Sequence, residues 1–135
     1  MRSVEILELM NAPQERRDIP LFIILPPCDA GAKGQNDVKA GTVSQPQSYN
    51  MGTNRGKFDI TYDTGSSCTD CIDIYNHKPG EDYLSGYKIW SSGQVATGGT
   101  RKATITFSYG SVITIIVTTG PSDGSVWNYH ITCPY

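Results

Sequence analysis

Residues 103–119 read ATITFSYGSVITIIVTT. In the first half, Ala103, Ile105, Phe107 and Tyr109 alternate with Thr104, Thr106 and Ser108. A period of two sends one set to a core and the other to water, which is the pattern of a half-buried strand. The second half, VITIIVTT, is apolar on both faces, as a central strand of a sandwich is. Tyr109-Gly110-Ser111 between them is turn chemistry. The same period recurs on either side. KFDITYD (57–63) places Phe58, Ile60 and Tyr62 on one face, CIDIYN (71–76) pairs Ile72 with Ile74, and WNYHIT (127–132) aligns Trp127, Tyr129 and Ile131 against Asn128 and His130. NHKPGED (76–82), SSGQVATGG (91–99) and TGPSDGS (119–125) separate these runs with turn-forming residues. The pattern predicts an all-β fold, an antiparallel β-sandwich or jelly roll of about eight strands.

The first forty residues differ in character. VEILELMNAP (4–13) fits a short helix stopped by Pro13, or a strand with Val4, Ile6 and Glu8 on one face. IPLFIIL (19–25) has the composition of a buried strand. PPCDAGAKGQNDVKAGT (26–42) follows as a long irregular connection. We therefore divide the chain into an N-terminal arm with an edge strand, residues 1–40, and a sandwich body, residues 41–135. A strand on such a tether completes its own sheet or pairs with the edge of a neighbour, so the arm is the expected route to a homo-oligomer.

Composition narrows the partners. The 135 residues carry 11 basic and 13 acidic side chains, a net charge of −2. That balance excludes a broad basic footprint for nucleic acid or an anionic membrane. The longest apolar run, Leu21 to Leu25, is too short for a membrane span. Glu5 and Glu8 interrupt any secretory signal, which points to a chain that starts mature or cytoplasmic.

The four cysteines are Cys28, Cys68, Cys71 and Cys133. Cys68 and Cys71 form a C-x-x-C, compatible with a redox pair, half of a zinc site, or a local bridge or reduced thiols. The second cysteine opens an alternating run rather than a helix, which speaks against redox catalysis. A Cys28–Cys133 staple, tying the arm to the last strand, is one of three pairings the spacing allows. His77, in a turn segment, and His130, on a polar strand face, are the only histidines. No nucleophile elbow, H-E-x-x-H or P-loop is present, and Ser92, His130 and Asp63 make a triad only on paper. The expectation is a protein that is not an enzyme; a small hydrolase or thiol-redox protein is the alternative with least support.

Acidic residues carry more. Asp63 ends one strand, Asp70 precedes the next, and Asp123 sits in an inter-strand loop. Gathered at one end of a sandwich, these carboxylates suit a hard cation such as Ca²⁺, although Asp in loops also simply caps turns. Here the sequence resembles a known family. FDITYDTGSSCTDCIDIYN (58–76) is similar to the CUB-domain segment in which an acidic residue ends a strand, a Cys follows, and Asp-x-apolar-acidic-apolar-Tyr opens the next strand. Asp63, Cys68, Asp70, Ile72, Asp73, Ile74 and Tyr75 take those places. TFSYGSVITIIVTTGPSDGSVWNYHIT (106–132) resembles the CUB ending, with Asp123 in its loop. The resemblance covers residues 41–135 and implies one calcium ion held by Asp63, Asp70 and Asp123, presenting a loop to a basic residue of a partner. Cys71 and the arm have no counterpart in the family.

Two functions follow as expectations. The first is a non-enzymatic binding or assembly module, calcium-dependent, that recognises a protein or glycan and is displayed outside the cell or on a phage or injection-machine particle. The second is a carbohydrate-binding module using the rings of Tyr83, Tyr87 and Trp90, which lie in a looser segment than Trp127 and Tyr129.

Overall fold

The computed structural model describes residues 25–34, 43–65, 70–119 and 127–135. The alternating runs become strands with the faces expected of them. Phe58, Ile60 and Tyr62 point inward from β3 (Gly56–Asp63), and Ile72 and Ile74 from β4 (Cys71–His77). Ile105 and Phe107 do so from β6 (Arg101–Phe107), and Tyr129 and Ile131 from β8 (Asn128–Ile131). The doubly apolar run is β7 (Val112–Thr118), buried on both faces between two neighbours. Three further strands are β1 (Ala30–Lys33), β2 (Gln47–Asn50) and β5 (Tyr87–Ser91). A 3-10 turn at Tyr83–Ser85 starts at Asp82, whose carboxylate accepts from the Leu84 N–H.

The strands form two four-stranded antiparallel sheets, ordered β1-β8-β3-β6 and β2-β7-β4-β5. First pairs with last, second with seventh, third with sixth and fourth with fifth. That is one long hairpin rolled into two layers, the jelly roll. Between the layers Tyr49 of β2 meets Tyr129 of β8 edge to face, and within one sheet Phe58 of β3 meets Phe107 of the neighbouring β6. The Tyr49 and Tyr129 hydroxyls share a 2.8 Å hydrogen bond inside the core. Burial, and then the bond from Tyr49, push the Tyr129 phenol far above its ordinary range.

The connection read as irregular, residues 26–42, contains β1, so part of the arm is integral to the sandwich. The edge strand observed is Ala30–Lys33; IPLFIIL lies outside the described residues apart from Leu25. Cys28 and Cys133 are joined by a disulfide with Cα atoms 4.9 Å apart. Beside it, the Cys28 N–H donates to the Asn50 carbonyl (3.1 Å) and the Asn50 N–H to that of Pro26 (2.9 Å). The segment before β1 thereby crosses from the edge of one sheet to the edge of the other. Asp29, next to the bridge, has a positive φ of 63°, a backbone state Asp tolerates better than most residues.

Candidate functional site

The flank opposite the disulfide is bounded by β5, the edge of one sheet, and β6, the edge of the other. An open groove of about 360 Å³ lies there, lined by Asn76, Tyr87, Ile89, Thr106, Phe107, Ser108 and Tyr109. Local chemistry shapes it. The ladder between β4 and β5 shifts register between Ile74 and Tyr75, so that Ile74 faces Trp90 and Tyr75 faces Lys88, and Ile89 is left over. Such a bulge re-aims side chains, and Ile89 both packs on the core and lines the groove.

Asn76 fixes the other wall. It is fully buried at the end of β4. Its amide donates to the carbonyls of Gly110 (2.8 Å) and Val112 (3.0 Å). Its Oδ1 accepts from the N–H groups of Tyr109 (3.0 Å) and Gly110 (3.3 Å). One side chain thus satisfies the backbone of the β6–β7 turn and ends the strand after Phe107. The alternation had placed Tyr109 inward; instead the turn carries it to the groove. Gly110 must be glycine, because a Cβ there would lie 2.2 Å from the His77 carbonyl oxygen.

The aromatic residues are arranged as a corner. Tyr87 and Tyr109 meet at 84° with centroids 4.8 Å apart, and the Lys78 ammonium sits 5.0 Å from the Tyr109 ring centre. Tyr109 donates its hydroxyl to Glu81 (3.0 Å), which also accepts from the Lys78 N–H (2.9 Å). The Lys78 N–H, and then the phenol, hold the Glu81 carboxyl below its ordinary range, while the bond to Glu81 raises the Tyr109 phenol. Tyr87 is 60% exposed.

Of the three rings expected to be accessible, Tyr87 is the open one. Tyr83 is half-buried and packs edge to face on Tyr75. Trp90 is half-buried, leans on Tyr62 (5.4 Å) and packs against the core. Their segment is not loose: it folds into the 3-10 turn and β5. Tyr109, which completes the corner, continues the inward alternation of β6 in sequence and is also one of the rings the sequence offers for stacking on a sugar; alternation cannot show that the strand stops at Phe107.

Two of the three expected carboxylates, Asp63 and Asp70, lie among the described residues. Asp63 Oδ1 accepts from the Gly65 N–H (2.8 Å) and the Thr97 hydroxyl (3.2 Å), an arrangement that caps the turn. Asp70 is fully buried, and its backbone exchanges two hydrogen bonds with Val95. Both therefore adjoin residues 95–97, at the same end of the sandwich; Asp123 lies outside the described residues. Among the described residues no three His, Cys, Asp or Glu side chains form a metal-holding group. Cys71 is a free thiol 3.5 Å from Asp73 Oδ1 and from Ser91 Oγ, and Cys68 lies outside the described residues.

His77 belongs to β4 rather than to a turn. It is buried, with Nδ1 3.0 Å from the Lys78 carbonyl and Nε2 2.6 Å from Thr114 Oγ1. Its ring is fully engaged inside the protein. The paper triad is dispersed: Ser92 accepts from the Ile72 N–H, His130 pairs with Asp29, and Asp63 caps its turn. No protein-family model, curated protein or solved structure matches the chain.

Proposed function

We propose that the chain is a non-enzymatic binding and assembly module, displayed outside the cell or on a phage or injection-machine particle, and that it meets its ligand through the β5–β6 groove. The observation that carries this is Tyr87, a large ring 60% exposed on a strand beside a concave, aromatic wall. Concave surfaces with aromatic walls and a few polar groups are where proteins hold ligands. The disulfide fits an oxidising location. In this reading the N-terminal arm serves self-assembly, and the CUB-like carboxylates Asp63, Asp70 and Asp123 take calcium.

Arrays of glycans and of surface proteins, probed with the full chain with and without Ca²⁺, test the reading. We expect binding that Tyr87→Ala reduces. Absence of any such binding on both arrays rejects the module. The calcium component is tested separately: saturating Ca²⁺ should raise the melting temperature, and Asp123→Asn should remove the rise. An unchanged wild-type melting temperature rejects it.

A further inference from the structure

Resting on that reading, we propose that the groove is a subsite for one neutral sugar residue, stacked on Tyr87 and hydrogen-bonded by Thr106 and Ser108. The argument is one of chemical complementarity. The seven lining residues carry no formal charge. At its rim Lys78 and Glu81 flank Tyr109 with opposite sign, Lys78 over its ring and Glu81 on its hydroxyl, and Lys57 is the cross-strand partner of Thr106. A charged ligand would find no counter-charge among the lining side chains themselves.

The polar groups divide into spent and unspent. Asn76 uses both donors and its oxygen on the turn backbone, and Tyr109 uses its hydroxyl on Glu81. The hydroxyls of Tyr87, Thr106 and Ser108 have no protein partner among the described residues. A ligand that satisfies several hydroxyls, each both donor and acceptor, and also offers an apolar C–H face to a ring, is a polyhydroxylated ring. Size agrees: about 360 Å³ lies near the lower end of the ~300–1,000 Å³ typical of ligand sites. The walls are also pre-set. Tyr109 is held by Asn76 and Glu81, so a ligand orders little more than Tyr87.

The test is an amide NMR titration of the full chain with free glucose, galactose, mannose and N-acetylglucosamine, then with disaccharides of the same residues. The expected result is saturable shifts confined to Tyr87, Thr106, Ser108 and Tyr109 for at least one sugar. Tyr87→Ala should weaken the affinity by about tenfold or more, as truncating a central aromatic contact does. Thr106→Val with Ser108→Ala should weaken it with the spectrum of the free protein otherwise preserved. Sugar shifts that survive Tyr87→Ala undiminished overturn the subsite. So does a panel in which no sugar moves these amides, or in which only a proline-rich peptide or a second copy of the chain moves them. Array binding to a protein alone, lost in Tyr87→Ala, would leave the binding module standing and remove the sugar.

Discussion

On the flank where β1 and β2 form the sheet edges, the chain crosses from layer to layer, a disulfide locks the crossing, and paired tyrosine hydroxyls bridge the core beside it. On the flank where β5 and β6 are the edges, the layers part around a groove, and order there depends on one buried amide and a carboxylate–phenol bond. The same jelly roll is thus closed covalently on one side and held open by hydrogen bonds on the other. The difference teaches where each property resides: global stability should follow the closed flank, and ligand recognition the open one.

The largest effect should come from the closed flank. Cys28 and Cys133 are 105 residues apart in sequence, so their bond restricts nearly the whole unfolded chain. Replacing both by Ser should cost about 3–5 kcal/mol, read from the denaturant midpoint. A loss under ~1 kcal/mol would mean that the backbone bonds of Asn50, donating to the Pro26 carbonyl and accepting from the Cys28 N–H, close the flank unaided.

A smaller effect should come from the frame of the open flank. Asn76→Ala leaves two buried carbonyls and two N–H groups of the β6–β7 turn to find other partners. The expected cost is about 2–3 kcal/mol, with the Tyr109 amide shifted and protection lost in residues 108–111. Asn76→Asp should repair little, because a carboxylate cannot donate to Gly110 and Val112. If either variant melts like the parent, the groove wall is fixed by something other than this amide.

Much of the comparison was open to reading and its most useful part was not. Four runs announce themselves through period two, because each buries one face and the inward residues must be apolar, and VITIIVTT announces itself by being apolar on both. AGAK and QSYN give no such signal: four residues of weak strand preference become β1 and β2 because β8 and β7 offer edges to pair with. The staple was one of three pairings, and only the fold brings Cys28 to Cys133. At the groove, two non-local events defeated the pattern. A bulge at Ile89 broke the alternation of YKIWS, so that Ile89 and Trp90 are both half-buried, and the Asn76 amide, from a different strand, ended ATITFSY two residues before Tyr109.

The smallest effect is expected from acid, and it should touch the outer face of β3 as well as the open flank. Asp59 on β3 accepts from the hydroxyls of Tyr135 and Thr104, both at 2.7 Å, and Lys102 lies 3.5 Å away. The bond from Tyr135, then that from Thr104, hold its carboxyl below the ordinary range, as Lys78 and Tyr109 do for Glu81. A carboxyl lowered on folding stabilises the fold above its unfolded value, and this contribution fades as pH falls through the lowered one. Below about pH 4, then, the tail beyond Cys133 should loosen from Asp59 and Tyr109 from Glu81, with no change between pH 6 and 8 from either group. Both carboxylates are solvent-accessible, so screening keeps the gain slight. NMR at descending pH resolves the two sites: Tyr135 should respond in the parent and not in Asp59→Asn, and Tyr109 in the parent and not in Glu81→Gln. A Tyr109 that holds its position through this range, or in Glu81→Gln at neutral pH, would show that Asn76 alone orders the mouth and that the open flank is less dependent on charge than its geometry indicates.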